Sequence, residues 1–295
     1  MTLSKKLRGV IAAIVTPIDA HGEPDFDRFA RVAKHLLDNG CDGLNVLGTT
    51  GEATSFSLRQ RTDLMRKIAA SPLPVSRMMV GTGAAAVEDA AALSLLAGEL
   101  GFAGALLLPP FYYKGVPESG IVRYFDRIAD ATKASDVPLY LYHFPAQSGV
   151  PYTLALIEKL IKTFGARIAG LKDSSGDMPY ARSVVALSKS LDVFPSNEAC
   201  LLDARKGDFA GCISATANTN APYCGRAFRD GDETAHKTAV EIRKLFDGKP
   251  LVPGVKALTA HILGDDAIAK LLPPFDALSA ADRDAVIDGY RKLTA

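Results

Sequence analysis

Eight short apolar runs, often β-branched, recur along the chain, and each interval between them is long enough to hold a helix. They fall at 10–15, 43–47, 75–80, 104–108, 139–143, 168–172, 193–195 and 211–214. Between them apolar residues recur at helical spacing. At 26–37 one stripe joins Phe26, Phe29, Ala30, Val32, Ala33, Leu36 and Leu37, with Asp25 placed as its N-cap. Segments 87–100, 121–131 and 154–164 read the same way. Strand–helix alternation of this kind pairs its strands in parallel. Eight strands with intervening helices make a (β/α)8 TIM barrel the expected fold, with 223–228 as its eighth helix. Helical patterns at 232–246, 255–263 and 279–292 exceed what a barrel needs. The expected division is therefore a barrel over 1–230 and a C-terminal helical extension over 231–295, suited to oligomer contacts.

Composition narrows the function classes. The 295 residues carry 34 basic and 33 acidic side chains, a net charge of +1, with no basic stripe to attract nucleic acid or an anionic membrane. No run approaches the roughly twenty apolar residues of a bilayer span. Lys5, Lys6 and Arg8 ahead of "GVIAAIV" faintly echo an export signal, but the run is short and reaches Pro17 without a cleavage site, so it reads as a first strand. Cys41, Cys200, Cys212 and Cys224 form no CxxC pair. They read as reduced thiols of a cytoplasmic protein. His21, His35, His143, His236 and His261 are scattered, and no metal site is expected.

Barrel enzymes assemble their sites where strands end. Here those ends carry "GTTGE" at 48–52, "GTG" at 81–83, "PPFYY" at 109–113, "YHFP" at 142–145, "KD" at 172–173, "PSNE" at 195–198 and "ISATAN" at 213–218. Lys172 closes an apolar run, and period-two alternation sets Ile168, Gly170 and Lys172 on one face, with space beside Gly170. Desolvation lowers an amine's pKa and makes a nucleophile able to condense with a ketone; the competing reading pairs Lys172 with Asp173 or extends it to the rim. Thr49, Thr50 and the loop N–H groups can hold a carboxylate or phosphate, or simply close a tight turn. A phenol near an iminium can shuttle protons, while Tyr112 and Tyr140 fit packing roles and His143 a core or supporting one. "GTGAAA" at 81–86 is an imperfect dinucleotide-loop match that a barrel loop also explains.

Several longer stretches occur in one order: "TPIDAHGEPD", "NVLGTTGEATSFSLRQR", "PPFYYKGVPESGIVRYF", "LYLYHFPAQSG", "GLKDSSGD", "GCISATAN" and "PLVPGVKALTAHIL". Together they resemble the dihydrodipicolinate synthase / N-acetylneuraminate lyase family of class I pyruvate-dependent aldolases, over nearly the whole chain. The resemblance implies a homotetramer and no cofactor beyond a covalent imine with substrate at Lys172. It implies Tyr142 as acid/base, and Thr49 and Thr50 as carboxylate-binding hydroxyls with Thr50 in a proton relay. Tyr113 would be lent to a neighbouring subunit's pocket, and the Ile213 backbone carbonyl would face the bound keto acid.

Departures from the family pattern bear on substrate. Gln147 stands where synthases of the family carry an arginine for the aldehyde's carboxylate, and an amide cannot replace a bidentate guanidinium. His143 replaces a common asparagine, and Ser196 a usual glycine. Ser196, Asn197 and Glu198 fall where lyases of the family contact sugar hydroxyls. The expected reaction joins or cleaves pyruvate and an aldehyde, with a hydroxylated 2-keto-3-deoxy sugar acid as the other species. The 4-hydroxy-tetrahydrodipicolinate synthase reaction with aspartate semialdehyde, a sugar-acid dehydratase, a non-catalytic small-acid sensor and a nucleotide-dependent oxidoreductase are the other readings.

Overall fold

The computed structural model describes residues 6–295; Lys5, counted above among the residues ahead of the first strand, lies outside them. Eight parallel strands form the sheet: β1 Gly9–Ala13, β2 Gly43–Val46, β3 Met78–Gly81, β4 Gly104–Leu107, β5 Leu139–His143, β6 Ile168–Asp173, β7 Asp192–Pro195 and β8 Gly211–Ser214. Each pairs with its sequence neighbours, and β8 returns to β1. Ala210 N–H donates to Val193 O at 2.9 Å, joining the β8 end to β7 and closing the ring.

Among the described residues twelve α-helices accompany the strands: α1 Phe26–Asp38, α2 Leu58–Ala69, α3 Val87–Glu99, α4 Glu118–Ala131, α5 Pro145–Ser148, α6 Leu154–Phe164, α7 Met178–Leu187, α8 Leu201–Lys206, α9 Ala217–Asp230, α10 Glu233–Lys244, α11 Leu251–Leu263 and α12 Ala280–Thr294. The fold is a (β/α)8 barrel with a C-terminal helical extension. Asp25 caps α1 and Ser279 caps α12 through side-chain acceptors, as their positions predict. Residues 75–77 depart from the strand reading: Pro74 precedes a single 3-10 turn there, and β3 starts at Met78. The eighth helix begins at Ala217, earlier than the apolar pattern indicates, because Asn218 is held inside the protein. Its amide donates to Ala13 O at 2.8 Å.

The larger core lies between strands and helices, and a second cluster fills the barrel interior with Ile11, Met79, Leu106, Tyr140, Phe194 and Ile213. One irregularity aims the site. In the β5–β6 ladder Leu139 pairs with Ile168, but Tyr140 pairs with Gly170, so Ala169 is an extra residue in β6. The alternation expected for Ile168, Gly170 and Lys172 therefore breaks. Ile168 joins the outer core with Leu139, while Ala169 turns inward. Beyond the bulge the ladder runs regularly and sets Lys172 beside Tyr142.

The space expected next to Gly170 is filled. A Cβ there would meet Asp192 O at 2.3 Å and the Tyr140 ring at 2.7 Å. Gly170→Ala should lower the unfolding free energy by about 1–3 kcal/mol, the usual cost of overpacking, measured by urea denaturation.

Candidate functional site

The ends of β2, β5, β6, β7 and β8 converge on a cavity of about 560 Å³, within the range of small-molecule sites; the "GTG" and "PPFYY" ends do not reach its wall. Its walls include Thr49, Thr50, Tyr142, Gln147, Lys172, Ser196 and Asn197, all anticipated from the sequence. Lys172 is 4% exposed, and its Nζ lies 4.3 Å from the centroid of the Tyr142 ring. The alternative pairing with Asp173 does not form: that carboxylate accepts from Ser175 N–H at 2.9 Å. Among the described residues Lys172 enters no ion pair. Burial pushes the Asp173 carboxyl up from its ordinary pKa. The Tyr142 hydroxyl lies 3.2 Å from Thr49 Oγ1, and its ring stacks on Phe144. Amine, phenol and threonine hydroxyl are thus contiguous, as carbonyl condensation followed by proton transfer requires.

The loop carrying Thr49 and Thr50 has a buried support. Leu47 and Glu52 both adopt positive φ, which bends "GTTGE" into a tight turn. Glu52 is fully buried. It accepts from Lys256 Nζ at 2.5 Å and from Leu272 N–H at 2.8 Å. Lys256, on α11, also donates to Thr16 O at 3.0 Å. Burial pulls the Lys256 pKa down against the opposing pull of Glu52. The C-terminal extension therefore reaches across to hold the loop. An apolar helix containing one lysine, "LVPGVKALTA", was the available signal.

Three anticipated site residues, Glu198, Ile213 and Tyr113, do not line the cavity with their side chains, and His143 takes the core position read for it. Glu198 does not line the cavity but is completely buried behind it. Ser214 Oγ donates to Oε1 at 2.7 Å, as do the Thr216 hydroxyl and the Asn220 amide, and Arg243 Nη1 donates to Oε2 at 3.1 Å. Its carboxylate is thus committed to protein donors rather than to substrate hydroxyls. Ile213 is buried in the barrel interior, and Ala215 is the β8-end residue on the wall. Tyr113 is 73% exposed and outside the cavity; it packs edge-on against equally exposed Tyr112. His143 faces away from the cavity: its Nδ1 accepts from Tyr152 N–H at 3.1 Å and its ring stacks on Tyr180. Wall residues not anticipated include Arg243, Ser174, Val252 and Phe275, while Phe144 comes from the anticipated "YHFP" end. An arginine on an amphipathic helix has no sequence signature separating it from a solvated one.

Among the described residues no three His, Cys, Asp or Glu side chains gather as a metal cluster, and no helix is long and apolar enough to cross a membrane. All four cysteines are buried and free.

Two outcomes test this geometry. Glu52→Gln leaves the Lys256 charge buried and should cost about 3–5 kcal/mol in chemical denaturation. Adding Lys256→Met should recover part of that loss. Burial lowers the His143 pKa from 6.5 to about 4. The unfolded chain takes up that proton below pH 6.5 and the folded one only near 4. Stability is therefore full above this window and declines as pH falls through it. In urea melts across that range, His143→Gln should flatten the decline.

The model of the Dihydrodipicolinate synthetase family matches residues 6–289. An uncharacterized DapA-like lyase of Chloroflexus aurantiacus is 35% identical over 257 residues, covering 85% of each chain. The crystal structure of dihydrodipicolinate synthase from Agrobacterium tumefaciens superposes with a TM-score of 0.91 at 27% identity, covering 97% of this chain and 99% of that one. YagE, an Escherichia coli K12 prophage protein of the dihydrodipicolinic acid synthase family solved with pyruvate, gives 0.87 at 26% identity over 97% of this chain and 98% of that one. An amine beside a phenol at the mouth of this barrel, and a match that runs almost from end to end, lead to one conclusion: the chain belongs to the dihydrodipicolinate synthetase family and is a Schiff-base-forming lyase.

Proposed function

We propose that Lys172 is the amine that forms the Schiff base and that the keto component is pyruvate. The observation carrying this is the buried Lys172 Nζ lying 4.3 Å from the Tyr142 ring, with Thr49 bonded to the phenol. YagE, a relative in fold, was solved with pyruvate. In this reading Lys172 adds to the C2 carbonyl of a 2-keto acid, water leaves, and an iminium forms. Tyr142 takes the proton of the C4 hydroxyl as the C3–C4 bond breaks. The bond's electron pair flows into the iminium, giving an enamine and a free aldehyde. Protonation at C3 and hydrolysis release pyruvate and regenerate the amine. Thr49 and Thr50 hold the carboxylate, with Thr50 in the proton relay. Synthesis is the reverse.

The substrate is a hydroxylated 2-keto-3-deoxy acid. Gln147, Ser196 and Asn197 on the cavity wall present an amide, a hydroxyl and a second amide suited to hydroxyl groups. No added cofactor enters. Residues 1–230 form the catalytic barrel and 231–295 the extension, in a cytoplasmic homotetramer. The exposed Tyr112–Tyr113 pair supports the lending of Tyr113 to a neighbouring subunit's pocket.

Pyruvate plus borohydride should add a reduced adduct at Lys172, located by peptide mass mapping. Lys172→Ala should abolish both adduct and turnover, and Tyr142→Phe should lower kcat about 10²–10⁴-fold. Full turnover by Lys172→Ala removes the mechanism. Efficient turnover of pyruvate with aspartate semialdehyde would shift the assignment to the synthase reaction.

A further inference from the structure

The cavity wall holds two cations among the described residues, Lys172 and Arg243, and one carboxylate, Asp173. Lys172 is occupied by the ketone in the reading above, on which this inference rests. Arg243 comes from α10, outside the barrel proper, with its side chain 30% exposed. All of its hydrogen bonds leave from one nitrogen. Nη1 donates to Glu198 Oε2 at 3.1 Å and, at 3.4 Å, to Ser214 Oγ and Thr216 Oγ1. Nε and Nη2 donate to no protein group among the described residues.

Glu198 offsets the guanidinium's charge but engages only its Nη1. Three neutral donors, Ser214, Thr216 and Asn220, share Oε1. The carboxylate's charge is spread over these and Arg243, while the rest of the guanidinium fork stays free at the cavity. Glu198 thereby fixes the fork's orientation, as a buried ion pair with its hydrogen bonds satisfied does. A pre-aimed guanidinium with two free N–H directions matches a planar carboxylate bidentately. Besides Lys172 the wall offers no other cation, but the first turn of α11 at Leu251 and Val252 also lines it and could take a phosphate, so the aldehyde comparison below includes a phosphate.

We propose that Arg243 is a specificity-determining anchor for a second carboxylate at the far end of the substrate, so that the enzyme acts on a 2-keto-3-deoxy diacid whose aldehyde fragment is itself an acid.

The direct test uses calorimetric titration with 2-oxoadipate against 2-oxohexanoate, keto acids of equal length with and without the far carboxylate. Wild-type protein should bind the diacid about tenfold or more tightly, and Arg243→Met should erase the difference. Because Arg243→Met strands the buried Glu198 charge, the double variant Glu198→Gln/Arg243→Met, checked by thermal melting, gives the same reading without that charge. The kinetic counterpart compares condensation of pyruvate with tartronate semialdehyde and with glyceraldehyde. The kcat/KM ratio should favour the acid in the wild type, and Arg243→Met should lower that ratio about thirtyfold or more. Equal binding of the two keto acids by wild-type protein overturns the proposal, as does a parallel loss for both aldehydes. So does preference for glyceraldehyde 3-phosphate over the acid. Borohydride trapping of pyruvate on wild-type protein separates the two levels: its absence defeats the Schiff-base reading, while the calorimetric contrast still reads the anion anchor.

Discussion

A single extra residue in β6 decides what the barrel can do. Had the Leu139–Ile168 pairing continued without interruption, Tyr142 would oppose Leu171, and Lys172 would point into the helical layer. A one-residue slip moves every following side chain to the other face. The bulge at Ala169 absorbs that residue, so that Tyr142 and Lys172 are cross-ladder partners on the inner face. The glycine after it is required by the same packing, since the Tyr140 ring and the Asp192 carbonyl occupy the volume a side chain would take. The bulge, the glycine and the buried tyrosine form one device, placed two residues below the amine.

The C-terminal extension is tied into the site by charge. Lys256 reaches Glu52 in a fully buried pair, anchoring the threonine loop. Arg243 reaches Glu198 and also opens onto the cavity. Each pair joins a barrel-loop carboxylate to a cation from an extension helix, and neither half is cheap to leave buried alone. The extension thereby constrains the two loops that flank the keto-acid position. It also supplies Val252 to the wall, with Phe275 from the segment that follows α11.

Much of this was legible along the chain. The eight strands, the capping residues Asp25 and Ser279, and the gathering of Lys172, Tyr142, Thr49 and Thr50 follow from local pattern and from the order of the motifs. A strand's apolar run and its terminating turn are local facts. Once a parallel barrel is the fold, its strand ends share a mouth. The extra residue in β6 was not legible, because "IAGLK" is compatible with unbroken alternation and only pairing with β5 shows where the count jumps.

The sequence by itself determined the barrel, the lysine and its phenol, because hydrophobic period and motif order act over a few residues at a time. Tertiary structure alone decided that Glu198 is buried and held by Arg243 rather than open to a ligand, and that Lys256 braces the threonine loop from 204 positions away. The physical reason is that the cost of burying a charge depends on its partners, and those partners become neighbours only when the ring closes and the last helices fold back over its mouth.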